Sequence, residues 1–99
     1  MVKHVILWKL KSEYNTDAIK TDMKQSLEAL VGVVPGLLSL HVQITALSTS
    51  ANADVMLDST FESPEALAGY AKHPAHVLAA DMKVRPFTES RACLDFIVE

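Results

Sequence analysis

The stretch VKHVILWKL, residues 2–10, decides the fold. Side chains alternate across a strand, so Val2, His4, Ile6, Trp8 and Leu10 share one face and Lys3, Val5, Leu7 and Lys9 share the other. Both faces are apolar at the middle of the run. A strand of that kind is covered on both sides, so the sheet it belongs to needs a layer on each face.

The segments that follow supply one of those layers. After the cap signal Asn15-Thr16-Asp17, apolar residues recur at Ile19, Met23, Leu27, Leu30, Val31 and Val34, one stripe of a helix that the VVPG run at 33–36 ends. LLSLHVQIT, 37–45, returns to alternation with Leu38, Leu40, Val42 and Ile44 on one side, and the small, polar segment 46–53 reads as a hairpin loop. Residues 54–62 place Val55, Leu57 and Phe61 opposite Asp54, Asp58, Thr60 and Glu62, the pattern of an outer strand with one wet face.

Ser63-Pro64-Glu65 then combines an N-cap, a proline at the first helical position and an acid in the first turn. The helix so opened must end or kink at His73, because proline disfavours helical backbone in the residue before it and has no amide hydrogen of its own. Pro74 opens a second helical segment through Val77, Leu78 and Met82 that Arg85-Pro86 stops. A last strand, about 88–98, sets Cys93, Asp95 and Ile97 against Ala92, Leu94, Phe96 and Val98.

The order is β-α-β-β-α-β with the second helix broken. This predicts an α+β ferredoxin-like fold, an antiparallel four-stranded sheet with both helices on one face. The other face would be bare, against the two-sided pattern of residues 2–10. A homodimer formed by two sheets packing face to face removes the conflict.

Composition agrees with these expectations. Ninety-nine residues make one domain, 1–99, and 49% hydrophobic residues are more than one small core hides. A net charge of −3 with nine scattered basic residues predicts no nucleic-acid partner. No apolar run is long enough to span a membrane. The chain begins without a signal-peptide pattern, and its single cysteine, Cys93, forms no internal disulfide, so a cytoplasmic location is expected.

Four segments, MVKHVILWKLK at 1–11, TFESPEAL at 60–67, YAKHPAHV at 70–77 and RACLDF at 91–96, together resemble the stress-responsive dimeric α/β barrel domain (Dabb) family. The resemblance spans almost the whole chain, and Tyr-x-x-His-Pro-x-His is its most specific part. It implies a ferredoxin-like protomer that pairs into a dimeric barrel. In the family's polyketide cyclase branch it implies a cofactor-free acid/base pair, carried onto Tyr70 and His76, in a pocket to which His4, Leu27, Val55 and His73 also contribute. Leu27 and Val55 stand where that branch has a tyrosine and a histidine, so the substrate does not carry over. A small apolar oxo compound is the ligand this leaves.

The residues also admit plainer roles. His73 is expected to cap the turn that Pro74 opens; His4 is a core histidine or a pocket ligand; Tyr70 and His76 either react or only brace the break. Trp8 reads as a core or interface anchor, His41 as a surface or interface residue, and Arg91 and Asp95 as a surface or inter-strand ion pair. The acids of 54–62 form a solvated row, and no metal and no cofactor are expected. Haem-linked or quinone-linked oxygenation, known in other dimeric α/β barrels, would require a wider cavity. The functional expectation is acid/base chemistry of the cyclase, isomerase or lyase type, with a non-catalytic stress-related or ligand-binding dimer as the alternative.

Overall fold

The protein is described by a computed structural model over residues 1–98. Strands β1 (Val2–Leu10), β2 (Leu37–Gln43), β3 (Val55–Phe61) and β4 (Thr88–Ile97) form one sheet, and helices α1 (Asp17–Glu28), α2 (Pro64–Lys72) and α3 (Pro74–Ala79) connect them. The strand order is β2-β3-β1-β4 and every pairing is antiparallel, the ferredoxin-like arrangement. A π turn, Ala80–Val84, and a 3₁₀ turn, Arg85–Phe87, lead from α3 into β4.

β1 is central. Its face of Val2, His4, Ile6, Trp8 and Leu10 is buried and continues onto β3 as Val55, Leu57, Ser59 and Phe61. The helices cover this face with Met23, Leu27 and Tyr70. Ser59 is the polar member of the β3 row, and its hydroxyl donates to the His4 carbonyl at 2.7 Å, so burial leaves it bonded. The opposite face carries Val5, Leu7 and Met56, and with them Leu94 and Phe96 of β4, which are 63% and 42% exposed.

Three local expectations are corrected. The stripe running to Val34 predicted a helix reaching the VVPG run, but α1 ends at Glu28 and the chain proceeds through turns that bury Leu30 and Val34 while exposing Val31. The Glu28 carboxylate accepts from the Val42 amide at 2.9 Å and from Lys24 Nζ at 2.7 Å, tying the helix end to β2. In β2 the register shifts between Leu37 and Ser39, so Leu37 is buried and Leu38 is exposed. An irregularity of this kind reverses alternation, which a count of two cannot anticipate.

β3 is the third correction, since it lies between β1 and β2 and is not an outer strand. Its acids are engaged by neighbours: Asp54 accepts from the Leu10 amide at 2.8 Å, and Asp58 pairs with Lys3 at 2.8 Å. His41 is exposed on the chain, at the surface or interface position expected of it.

The turn into β2 depends on Gly36, which has φ +79°; a Cβ there would stand 2.5 Å from the Ala66 Cβ on α2. Gly32, at φ +88°, has open space around the same position. Gly32→Ala is therefore expected to cost about 1–2 kcal/mol, the left-handed backbone penalty alone. Gly36→Ala should cost at least about 1 kcal/mol more through overpacking. Urea unfolding of the two variants checks this, and equal losses would refute the close approach of β2 and α2.

Candidate functional site

Pro74 shapes the site. α2 starts at the Ser63 cap, whose side chain accepts from the Ala66 amide at 3.1 Å, and stops at His73, which is extended at φ −65° and ψ 132°. The His73 ring then caps α3, its Nδ1 accepting from the Ala75 amide at 3.1 Å. The change of direction brings together two side chains that an unbroken helix would have pointed apart. The rings of Tyr70 and His76 lie with centroids 4.1 Å apart and planes inclined by 36°.

Both rings line a cavity of about 480 Å³ between the sheet and the second helical layer, a volume within the usual range for small-molecule sites. β1 provides His4, Ile6 and Trp8, α2 provides Leu67 and Tyr70, and α3 with the π turn provides His76, Ala80 and Val84. Arg91 and Asp95 of β4 close the remaining side. The walls are apolar around a few polar groups, so a hydrogen bond or charge inside is weakly screened and correspondingly strong.

Burial separates the acid/base properties of the two rings. It pushes the Tyr70 phenol up to about 12, with only a small opposing pull from the Arg91 charge. Tyr70 therefore stays protonated, a hydrogen-bond donor, across the physiological range. Burial also holds the His76 imidazole below its ordinary value; the Ala71 carbonyl opposes this, and the positive charge of Arg85 adds to it. The result is a neutral imidazole at neutral pH. Its Nδ1 is buried with no hydrogen-bond partner among the described residues, an uncommon condition for a buried polar atom.

His4 lies beside this pair, its ring edge-on to Tyr70 at 6.1 Å and to Phe61 at 6.4 Å. Its Nδ1 is hydrogen-bonded to the Asp95 carboxylate, which fixes the ring orientation. Cys93 Sγ is 3.6 Å from the same nitrogen and 3.5 Å from the carboxylate.

Of the residues singled out from sequence, Tyr70, His76 and His4 meet in one cavity. Leu27 and Val55 do not line it; each is 2% exposed and packed in the core. His73 is also absent from its walls, since its ring is used as a cap. Trp8 is both a buried core residue and part of the floor. The expected ion pair of Arg91 with Asp95 is corrected: Asp95 reaches across to His4 on β1, because the register sets those two residues side by side. Arg85, Arg91 and Asp95 are cavity residues that sequence reasoning missed. For Arg91 and Asp95 the one available signal was their shared face on the last strand, opposite Leu94 and Phe96.

This α+β fold, with a cavity under a broken second helix, defines a class of small ferredoxin-like proteins. The profile of the Stress responsive A/B Barrel Domain matches residues 2–98, and the chain belongs to that family. It is 31% identical to olivetolic acid cyclase of Cannabis sativa over 96% of this chain and 94% of that one. It is 30% identical to a stress-response A/B barrel domain-containing protein of Arabidopsis thaliana over its whole length, which is 37% of that relative. Among solved structures, a dimeric ferredoxin-like protein of unknown function from Bacteroides fragilis superposes with a TM-score of 0.86 at 28% identity, covering 96% of this chain and 93% of the other. No helix among the described residues is long and apolar enough to cross a membrane.

The His76 shift has a consequence for stability. A histidine whose folded value lies below its unfolded value of 6.5 contributes full stability above pH 6.5, and that stability is lost as pH falls toward the folded value. Thermal melts from pH 8 down to pH 5 should show this acid loss, and His76→Gln should reduce it. An unchanged acid limb in the variant would assign the loss to other groups.

Proposed function

We propose that the protein is a homodimer, paired through the open sheet face, whose cavity carries out cofactor-free acid/base chemistry on a small apolar oxo compound. The observation that carries this reading is the Tyr70–His76 pair, a neutral base and a protonated donor in contact within an apolar cavity. Cyclisation by carbon–carbon bond formation and isomerisation begin with removal of a proton beside a carbonyl, and the corresponding cleavage begins with removal of a hydroxyl proton. His76 takes that proton. Tyr70 donates a hydrogen bond to the carbonyl oxygen as it gains charge, and the proton on His76 returns to the product.

The apolar walls of Ile6, Trp8, Leu67 and Val84 favour a substrate with a hydrocarbon portion, while His4 and Arg91 face its oxygens. Similarity to a protein named as a cyclase supports this class of reaction. Pairing is supported by the exposed Leu7, Leu94 and Phe96 on the uncovered face and by the dimeric relative from Bacteroides fragilis. A second reading is a ligand-binding dimer without turnover, in which the contact of Tyr70 with His76 only braces the break at Pro74.

Native mass spectrometry of freshly purified protein should find a dimer carrying a small apolar oxygenated compound, which then serves as the probe for turnover. His76→Ala is expected to lower kcat by about 10²–10⁴, and Tyr70→Phe by about 10²–10³. Turnover unaltered by His76→Ala would overturn the catalytic assignment, and a monomer would overturn the pairing.

A further inference from the structure

We infer that His4, Cys93 and Asp95 form a binding site for a divalent transition metal of the zinc type, at the edge of the cavity between β1 and β4. This does not depend on the catalytic reading of Tyr70 and His76. The ligand atoms come from two strands far apart in sequence. β1 and β4 pair with His4 opposite Asp95 and Ile6 opposite Cys93, so all three side chains stand on the face beneath the helices. One ligand atom from each lies within 4.8 Å of the others.

The spacing matches tetrahedral coordination. Zinc–sulfur and zinc–nitrogen bonds of about 2.3 Å and 2.0–2.1 Å place sulfur and nitrogen about 3.5–3.6 Å apart, and sulfur and a carboxylate oxygen about 3.6 Å apart. Cys93 Sγ lies 3.6 Å from His4 Nδ1 and 3.5 Å from Asp95 Oδ1. Only the His4–Asp95 edge must lengthen, from a hydrogen bond to the roughly 3.4 Å of two ligands on one ion. Asp95 is half exposed, which gives its side chain room for that movement.

The donor set favours a borderline-soft ion over magnesium or calcium, which prefer oxygen alone. Binding releases the proton of the Cys93 thiol, and His4 coordinates through Nδ1. A divalent ion with one thiolate and one carboxylate is then neutral overall. Neutrality matters at this position because Arg91 stands next to Cys93 on the same strand face and would repel a net positive site. Three protein ligands leave a fourth position open. His4 and Asp95 both line the cavity, so the site stands at its edge.

Cobalt(II) tests the inference directly, because Cys93 is the chain's single cysteine. Chelator-treated full-length protein titrated with Co²⁺ should develop a near-ultraviolet thiolate-to-cobalt charge-transfer band and the intense visible bands of a four-coordinate ion. Zn²⁺ should abolish both at one equivalent per chain. Cys93→Ser, at an exposed position that tolerates the change, should eliminate the charge-transfer band. Cys93→Ser and Asp95→Asn should each weaken Zn²⁺ binding at least about tenfold, with circular dichroism confirming that both remain folded. Absence of the band in the parent protein, or Zn²⁺ affinity unchanged in both variants, would overturn the site.

Discussion

Strand β1 is hydrogen-bonded along both edges, to β3 and to β4, and its two faces meet different demands. The inner face is the floor on which both helical layers pack, and His4, Ile6 and Trp8 of that floor are also the base of the cavity. The outer face presents Val5 and Leu7 to a surface that no helix among the described residues covers. Core and cavity therefore meet on one strand. A change that shifted β1 by one residue would turn His4 outward and break the His4–Asp95 contact together with the core.

The cavity exists because the second helical layer is interrupted above that floor. Pro74 cannot continue α2, and the chain restarts as α3 in a new direction, which leaves a volume that neither segment fills. The interruption has local support, since His73 caps the new segment with its own ring. The first histidine of the HPAH run thus has a structural task, and the second, His76, is left to lie against Tyr70. Burial acts on the two rings in opposite chemical senses, keeping a phenol protonated and an imidazole neutral. A donor and a base result without any charged group at the point of contact.

β4 contributes differently from the other strands. It is an edge strand, largely exposed, and its inward-facing residues Arg91, Cys93 and Asp95 are polar where those of β1 and β3 are mostly apolar. The β4 side of the cavity is consequently polar, whereas the floor and roof set single polar rings, His4 below and Tyr70 and His76 above, among apolar side chains.

The sequence by itself determined the order of elements, the caps at Thr16 and Ser63, the break at Pro74 and the division of β1 into two faces, because each follows from contacts between residues close in the chain or from strict alternation. The Tyr-x-x-His-Pro-x-His element also identified the two rings that meet. The tertiary structure alone decided that β3 is interior, that a bulge turns Leu37 inward, and that α1 stops at Glu28, where a carboxylate finds an amide on β2. It alone decided that Leu27 and Val55 belong to the core and that Asp95 belongs with His4. These are matters of register and packing between segments dozens of residues apart, and no local periodicity encodes which side chain a partner strand will place opposite.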